Sequence, residues 1–149
     1  MTRIRRNPRA VQWAFFPARQ LQAPIGPPTP IVWSAFSDQE QENLLEDLEL
    51  WVDWLVERYR LDHRVVPPCW MRHGELVEEL SALHLAWQSA FASSATADSP
   101  LNWHEHFAVS RQRVADWVSR TGCRPDAHRE PHVHGGALRG ASGEERADE

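Results

Sequence analysis

Two cysteines and two histidines are the side chains of this sequence best suited to chemistry. Cys69 precedes His73 by four positions, and Cys123 precedes His128 by five. Two thiolates and two imidazoles form the Cys₂His₂ donor set that tetrahedral zinc accepts. The spacing differs from that of a standard zinc finger, so it carries little weight alone. We predict one structural zinc ion held by these four side chains.

Three other interpretations of the same residues stay open. The cysteines can be ordinary buried thiols with incidental histidines nearby. A disulfide between two distant cysteines is disfavoured if the compartment is reducing. Cys69 and His73 can be imagined as a nucleophile and its base, but no third orienting group or oxyanion motif accompanies them. We therefore expect no enzyme and see no small-molecule substrate.

Three amphipathic helices are predicted to position these side chains, over residues 38–60, 74–92 and 100–121. Ser37 and Glu40 match a capping box at the start of the first helix. Apolar residues then recur with helical spacing in all three segments. The predicted fold is therefore an all-α, three-helix domain over residues 31–128, and we expect its first helix to be the central one.

The ends of the predicted helices explain why the two Cys/His pairs should meet. Ser99 should cap the third helix with Pro100 at its first position, and Gly122 should end it. The second and third helices, joined by a short loop, should pack antiparallel. The end of the third then lies beside the start of the second, where the two pairs fall.

Four tryptophans fall on the inner arcs of these helices and should pack together at the centre of the domain. They are Trp51, Trp87, Trp103 and Trp117. His84 lies at the margin of the apolar stripe of the second helix and is expected at the edge of the core. His104 and His106 point to different sides of their helix and are not expected to form a site.

Charge is unevenly distributed along the chain. Residues 1–37 carry five arginines and no acidic residue, whereas residues 38–149 carry 11 arginines against 21 acidic residues. Residues 1–30 are predicted to form a flexible, basic, proline-rich arm, and residues 129–149 a disordered tail. Composition alone favours a disordered leader without a binding role. The alternative is an arm that binds a partner, as a proline-rich ligand or through its arginines, and the predicted partner-binding residues are then Arg3, Arg5, Arg6 and Arg9.

No apolar run reaches the roughly 20 residues that cross a bilayer, and no signal-peptide core follows the basic start. We therefore predict a cytoplasmic protein without a membrane partner.

Several short stretches follow one another in a specific order: residues 51–61, Pro67-Pro68-Cys69-Trp70 with His73, residues 76–83, residues 103–105 with Trp117, and Gly122-Cys123. Together they resemble an actinobacterial family of uncharacterised small proteins encoded on plasmids, integrative conjugative elements and phages. The resemblance covers about residues 31–128, and Gly74 stands where proline is common in the family. It implies that the cysteine and histidine positions belong to a shared pattern, and it implies no activity.

Together these observations predict a non-enzymatic accessory or adaptor protein of a mobile genetic element or phage, which works through contacts with a protein partner. The alternative is a nucleic-acid-associated protein whose arginine arm contacts phosphates. An acidic body argues against phosphate binding over the whole surface.

Overall fold

The computed structural model describes residues 28–130 and confirms the all-α fold. Its helices are α1 (Asp38–Tyr59), α2 (Gly74–Ala90) and α3 (Ser99–Thr121), with short 3₁₀ helices at Trp33–Ala35 and Trp70–Arg72. The described part contains no strand, only an isolated β-bridge between Arg124 and Ala127. The predicted arm lies almost entirely outside the described residues, and so does nearly all of the predicted tail.

Two helix ends follow local signals in the sequence, and a third does not follow the predicted one. Ser37 and Glu40 form the predicted capping box, in which the Ser37 backbone N–H donates to the Glu40 carboxylate at 2.8 Å. Gly122 ends α3 in the left-handed conformation, with φ 70°. The prediction for Ser99 is wrong, because Asp98 is the cap and Ser99 is the first helical residue. The Ser99 hydroxyl instead accepts from the backbone N–H of Thr96 at 3.2 Å, inside the preceding turn.

Helix α2, and not α1, is the central element of the described domain. It packs most extensively against α3 and also contacts α1. The Trp51 ring lies 4.7 Å from the His84 ring, and Trp54 lies 5.2 Å from Trp87. These paired contacts show α1 and α2 running in the same general direction. The segment between them must therefore run back along the bundle before α2 begins.

Three of the four predicted core tryptophans are buried. Trp51, Trp87 and Trp103 belong to one cluster, with 6.3 Å between the rings of Trp51 and Trp87. The prediction for Trp117 is wrong: it packs against the cluster from outside and is half-buried. Trp70 is buried although it lies outside the three helices, and no periodic pattern marks it.

His84 lies inside the core and not at its edge. Its imidazole stacks on Trp51, and its Nε2 lies 3.2 Å from the side-chain nitrogen of Gln88. Burial lowers the pKa of His84 to about 4, because a charged imidazole would lose its hydration there. The folded protein therefore holds this histidine neutral.

The buried histidine should make stability fall in acid. Its pKa in the unfolded chain is near 6.5, so between pH 6.5 and about 4 only the unfolded state takes up the proton. The contribution of neutral His84 to the free energy of unfolding should be fully present above pH 6.5. It should fall by about 3 kcal/mol as the pH approaches 4. Urea unfolding of the parent and of His84→Phe, from pH 7 to pH 4, measures this difference.

The comparison between the two proteins removes any pH dependence they share, including that of other histidines. His106→Phe provides the matched control, because the His106 side chain is exposed. It should follow the parent through the whole range. Parallel stability curves for the parent and His84→Phe would contradict a neutral buried His84.

Candidate metal centre

The four predicted ligands come together at one end of the helical domain. Cys69 Sγ and Cys123 Sγ each lie 3.5 Å from His73 Nε2, and Cys123 Sγ lies 3.5 Å from His128 Nδ1. All four donor atoms lie within 4.8 Å of one another. Tetrahedral zinc with standard bond lengths would separate sulfur from nitrogen by about 3.5 Å. The cluster could hold a metal ion of this size and geometry.

A 3₁₀ turn places the first pair. The backbone N–H of Trp70 donates to the Pro67 carbonyl at 3.0 Å, and the N–H of His73 donates to the Trp70 carbonyl at 3.0 Å. The buried Trp70 side chain anchors this turn in the core. Cys69 and His73 are thereby held on either side of the turn. The His73 carbonyl in turn accepts the first backbone hydrogen bonds of α2.

A tight turn after α3 places the second pair. Arg124 and Ala127 exchange two backbone hydrogen bonds, of 2.9 and 3.1 Å, around Pro125 and Asp126. Proline is favoured at the second position of such a turn because its φ is already set. The turn reverses the chain, and His128 returns beside Cys123.

The packing of α2 against α3 then joins the two pairs. The beginning of α2 lies beside the end of α3, as predicted from the antiparallel arrangement. Both cysteines are free thiols in the structure. The predicted partner-binding arginines, Arg3, Arg5, Arg6 and Arg9, lie outside the described residues.

Each histidine of the cluster has a carboxylate on the side facing away from the sulfurs. Glu75 Oε1 lies 3.9 Å from His73 Nδ1. Glu130 Oε1 lies 3.3 Å from His128 Nε2, but these two atoms are not aligned as a hydrogen bond. Arg72 forms an ion pair with Glu130. Neither carboxylate forms a hydrogen bond with its imidazole here, although carboxylates that do so orient metal-bound histidines. Neither acid was predicted to lie near the cluster, yet a His-x-Glu pattern marks each of them.

The two thiols differ in acidity. Burial, with the neighbouring Cys123 thiol, raises the pKa of Cys69. Burial acts in the same direction on Cys123, but its hydrogen bonds with the Thr121 side chain and from the Arg129 backbone leave the pKa of Cys123 below that of an ordinary thiol. The Arg129 N–H lies 3.3 Å from the Cys123 sulfur.

His73 is already in the state that a metal ligand needs. Burial lowers its pKa, Glu75 opposes that shift, and repulsion from Arg72 acts in the same direction as burial. A neutral imidazole can offer the lone pair that a metal ligand needs.

Comparison of the chain with family models, curated proteins and solved structures finds no match. Within residues 28–130, no helix is both long and apolar enough to cross a membrane. The case for function therefore rests on the cluster itself.

The remaining helical histidines have structural contacts or lie on the surface. His104 Nδ1 donates to the Pro100 carbonyl at 2.7 Å, so its Nε2 accepts from the Tyr59 hydroxyl at 2.9 Å. This pair links α1 to α3. His106 is exposed and does not belong to the cluster.

Proposed function

We propose that Cys69, His73, Cys123 and His128 bind one zinc ion that stabilises the fold. The observation that carries this proposal is the approach of all four donor atoms to within 4.8 Å. Thiolate and imidazole donors together favour zinc over the hard cations magnesium and calcium. The metal content of the purified chain, expected to be one zinc ion per chain, tests the assignment.

The role assigned to this zinc is structural. Four protein donors fill a tetrahedral site and leave no position for a water molecule or a substrate. The ion would link the turn before α2 to the turn after α3, two irregular segments that helix formation alone does not fix. The raised pKa of Cys69 also gives no support to a cysteine nucleophile, which needs an easily formed thiolate. These points favour a non-enzymatic protein.

The cellular role we propose is that of an accessory or adaptor protein acting through protein contacts. The closed donor set supports a binding role over a catalytic one. The resemblance to proteins of actinobacterial plasmids, conjugative elements and phages supports a place on a mobile genetic element. A reducing cytoplasm suits two thiols that serve as metal ligands.

A second candidate role is binding to nucleic acid through the arginine arm. The segregation of charge favours it: residues 1–37 have five arginines and no acid, whereas residues 28–130 have nine arginines against seventeen acidic residues. A basic arm speeds encounters with any acidic partner, protein or nucleic acid. Contacts to phosphate would weaken steeply as salt rises.

Deleting residues 1–30 should leave the melting temperature nearly unchanged and weaken association with the native partner. Thr29 and Pro30 are exposed, so their loss removes little packing. Pull-downs from the source cell with the full and shortened chains, together with melting curves, measure both effects. Replacing Arg3, Arg5, Arg6 and Arg9 with glutamine separates the effect of charge from that of the deletion.

Two outcomes would change this assignment. Salt-dependent DNA binding that disappears with the arm would favour the nucleic-acid role. Identical sets of captured proteins for the full and shortened chains would contradict a role for the arm and would move the interaction surface to the helical domain.

A further inference from the structure

A cleft of about 690 Å³ lies against the metal cluster. Its walls come from the start of α2, the last turn of α3 and the residues that follow the Cys123–His128 turn. Trp117, Arg120, Arg129, Glu75, Glu130 and the ligand His73 all line it. The volume falls within the range of pockets that bind small ligands or the side chains of a peptide. None of the metal-centre chemistry requires this cleft.

Two carboxylates and two guanidinium groups line the cleft, and they differ in their contacts. Glu75 faces His73, and Glu130 faces both His128 and Arg72. Within residues 28–130, neither Arg120 nor Arg129 forms an ion pair. The cleft therefore presents two guanidinium groups that have no carboxylate partner there.

Other contacts give these groups a defined setting. The Arg129 side chain lies over Gly122, where an added Cβ would approach its guanidinium nitrogen to 3.1 Å. Trp117 is half-buried and packs against the core, so its indole forms a fixed apolar surface within the cleft. The cleft thus combines an apolar surface with two arginine side chains.

The acidity of the domain is concentrated elsewhere. Helix α1 carries eight acidic residues and one arginine, whereas residues 60–130 carry eight arginines and nine acidic residues. No residue of α1 lines the cleft. Exposed charges farther away than about 8 Å are largely screened at physiological salt. The cleft can therefore attract a short anionic segment, although the domain as a whole would repel a long polyanion.

We propose that this cleft binds an acidic peptide segment of a partner protein. Arg120 and Arg129 would pair with carboxylates, for which the planar guanidinium offers a matched pair of donors. An apolar side chain between those carboxylates would lie on Trp117. The choice of a peptide rests on the proposed role in protein contacts, and it gives that role a surface independent of the arm.

A labelled peptide tests the assignment with the zinc-loaded, full-length chain. The probe is a fluorescein-labelled hexapeptide, Gly-Glu-Leu-Glu-Asp-Gly, and its control carries Gln and Asn in place of the acids. Fluorescence anisotropy should show binding of the acidic peptide at about 10–100 μM. Arg120→Gln and Arg129→Gln should each weaken it at least about fivefold, as expected for losing a charge-assisted hydrogen bond.

Arg64→Gln is the matched control, because Arg64 is exposed, lies outside the cleft and forms no ion pair within residues 28–130. It should bind the peptide like the parent, and Trp117→Leu should bind it more weakly. Three results would overturn the proposal. The acidic and amide peptides could bind equally well, Arg64→Gln and Arg120→Gln could lose the same amount of affinity, or the acidic peptide could fail to bind by about 1 mM.

The chain also contains its own acidic stretch, which includes Glu144 and Glu145. If the peptide binds only after Glu144→Gln and Glu145→Gln, the occupant belongs to this chain and the assignment to a partner fails. Zinc content is measured in the same samples. Absence of peptide binding with zinc bound would refute the cleft assignment alone, whereas absence of zinc would refute the metal centre.

Discussion

Cys69→Ser and Cys123→Ser should each lower the melting temperature and the zinc content together. Serine resembles cysteine in size, so the main loss is the soft thiolate donor, and a three-donor site holds zinc less tightly. With free zinc about 1,000-fold above the dissociation constant, binding contributes on the order of 4 kcal/mol to the folded state. For a domain of this size, losing it corresponds to about 15–30 °C.

A chelator separates the metal effect from any change in packing. In excess EDTA, the parent and both serine variants should melt at similar temperatures, because the difference between them is the bound ion. His128→Ala should behave like the serine variants, and His106→Ala, which changes an exposed histidine outside the cluster, should behave like the parent. The difference in melting temperature between the parent and the serine variants could instead persist undiminished in EDTA. That result would attribute the difference to packing and would contradict a role for zinc.

Trp51→Ala should destabilise the domain by about 3–5 kcal/mol. Trp51 has 0% of its surface exposed and contacts Trp54, His84 and Trp87. Alanine would leave a cavity bounded by rigid rings, which cannot collapse to fill it. Urea unfolding of the zinc-loaded protein measures the change.

The neighbouring Leu50→Ala is the matched control, because Leu50 lies on the same helix with 55% of its surface exposed. It should change stability by less than about 0.5 kcal/mol. Trp117→Ala should fall between the two, since Trp117 is half-buried. A Trp51→Ala protein as stable as the parent would contradict a core built around this tryptophan.

Local signals in the sequence were sufficient for the helices and for the position of the cluster. The Ser37–Glu40 capping box and Gly122 act through neighbouring backbone groups, so they are readable without knowing the tertiary structure. The Cys/His pairs flank the predicted helix ends, and antiparallel packing of two helices of similar length was enough to bring those ends together. Hence the approach of the four Cys and His side chains could be predicted from the sequence.

The errors concern what lies beyond each helix. An inner arc shows which side of a helix is apolar, but not whether another element covers it. Trp117 lies on such an arc near the end of α3, where its ring lines the cleft. Trp70 lies in a 3₁₀ turn too short to show periodicity, so its burial left no pattern. The apolar arcs of α1 likewise could not reveal that α2 makes the more extensive contacts with the other helices.

The central claim is that one zinc ion joins the two Cys/His pairs, and X-ray absorption at the zinc edge of the purified chain tests it most directly. The account predicts about one zinc ion per chain, with two sulfur neighbours near 2.3 Å and two nitrogen neighbours near 2.0–2.1 Å. The contradicting result would be protein that contains no metal after purification without chelator. Such protein would also melt at the same temperature with and without added zinc.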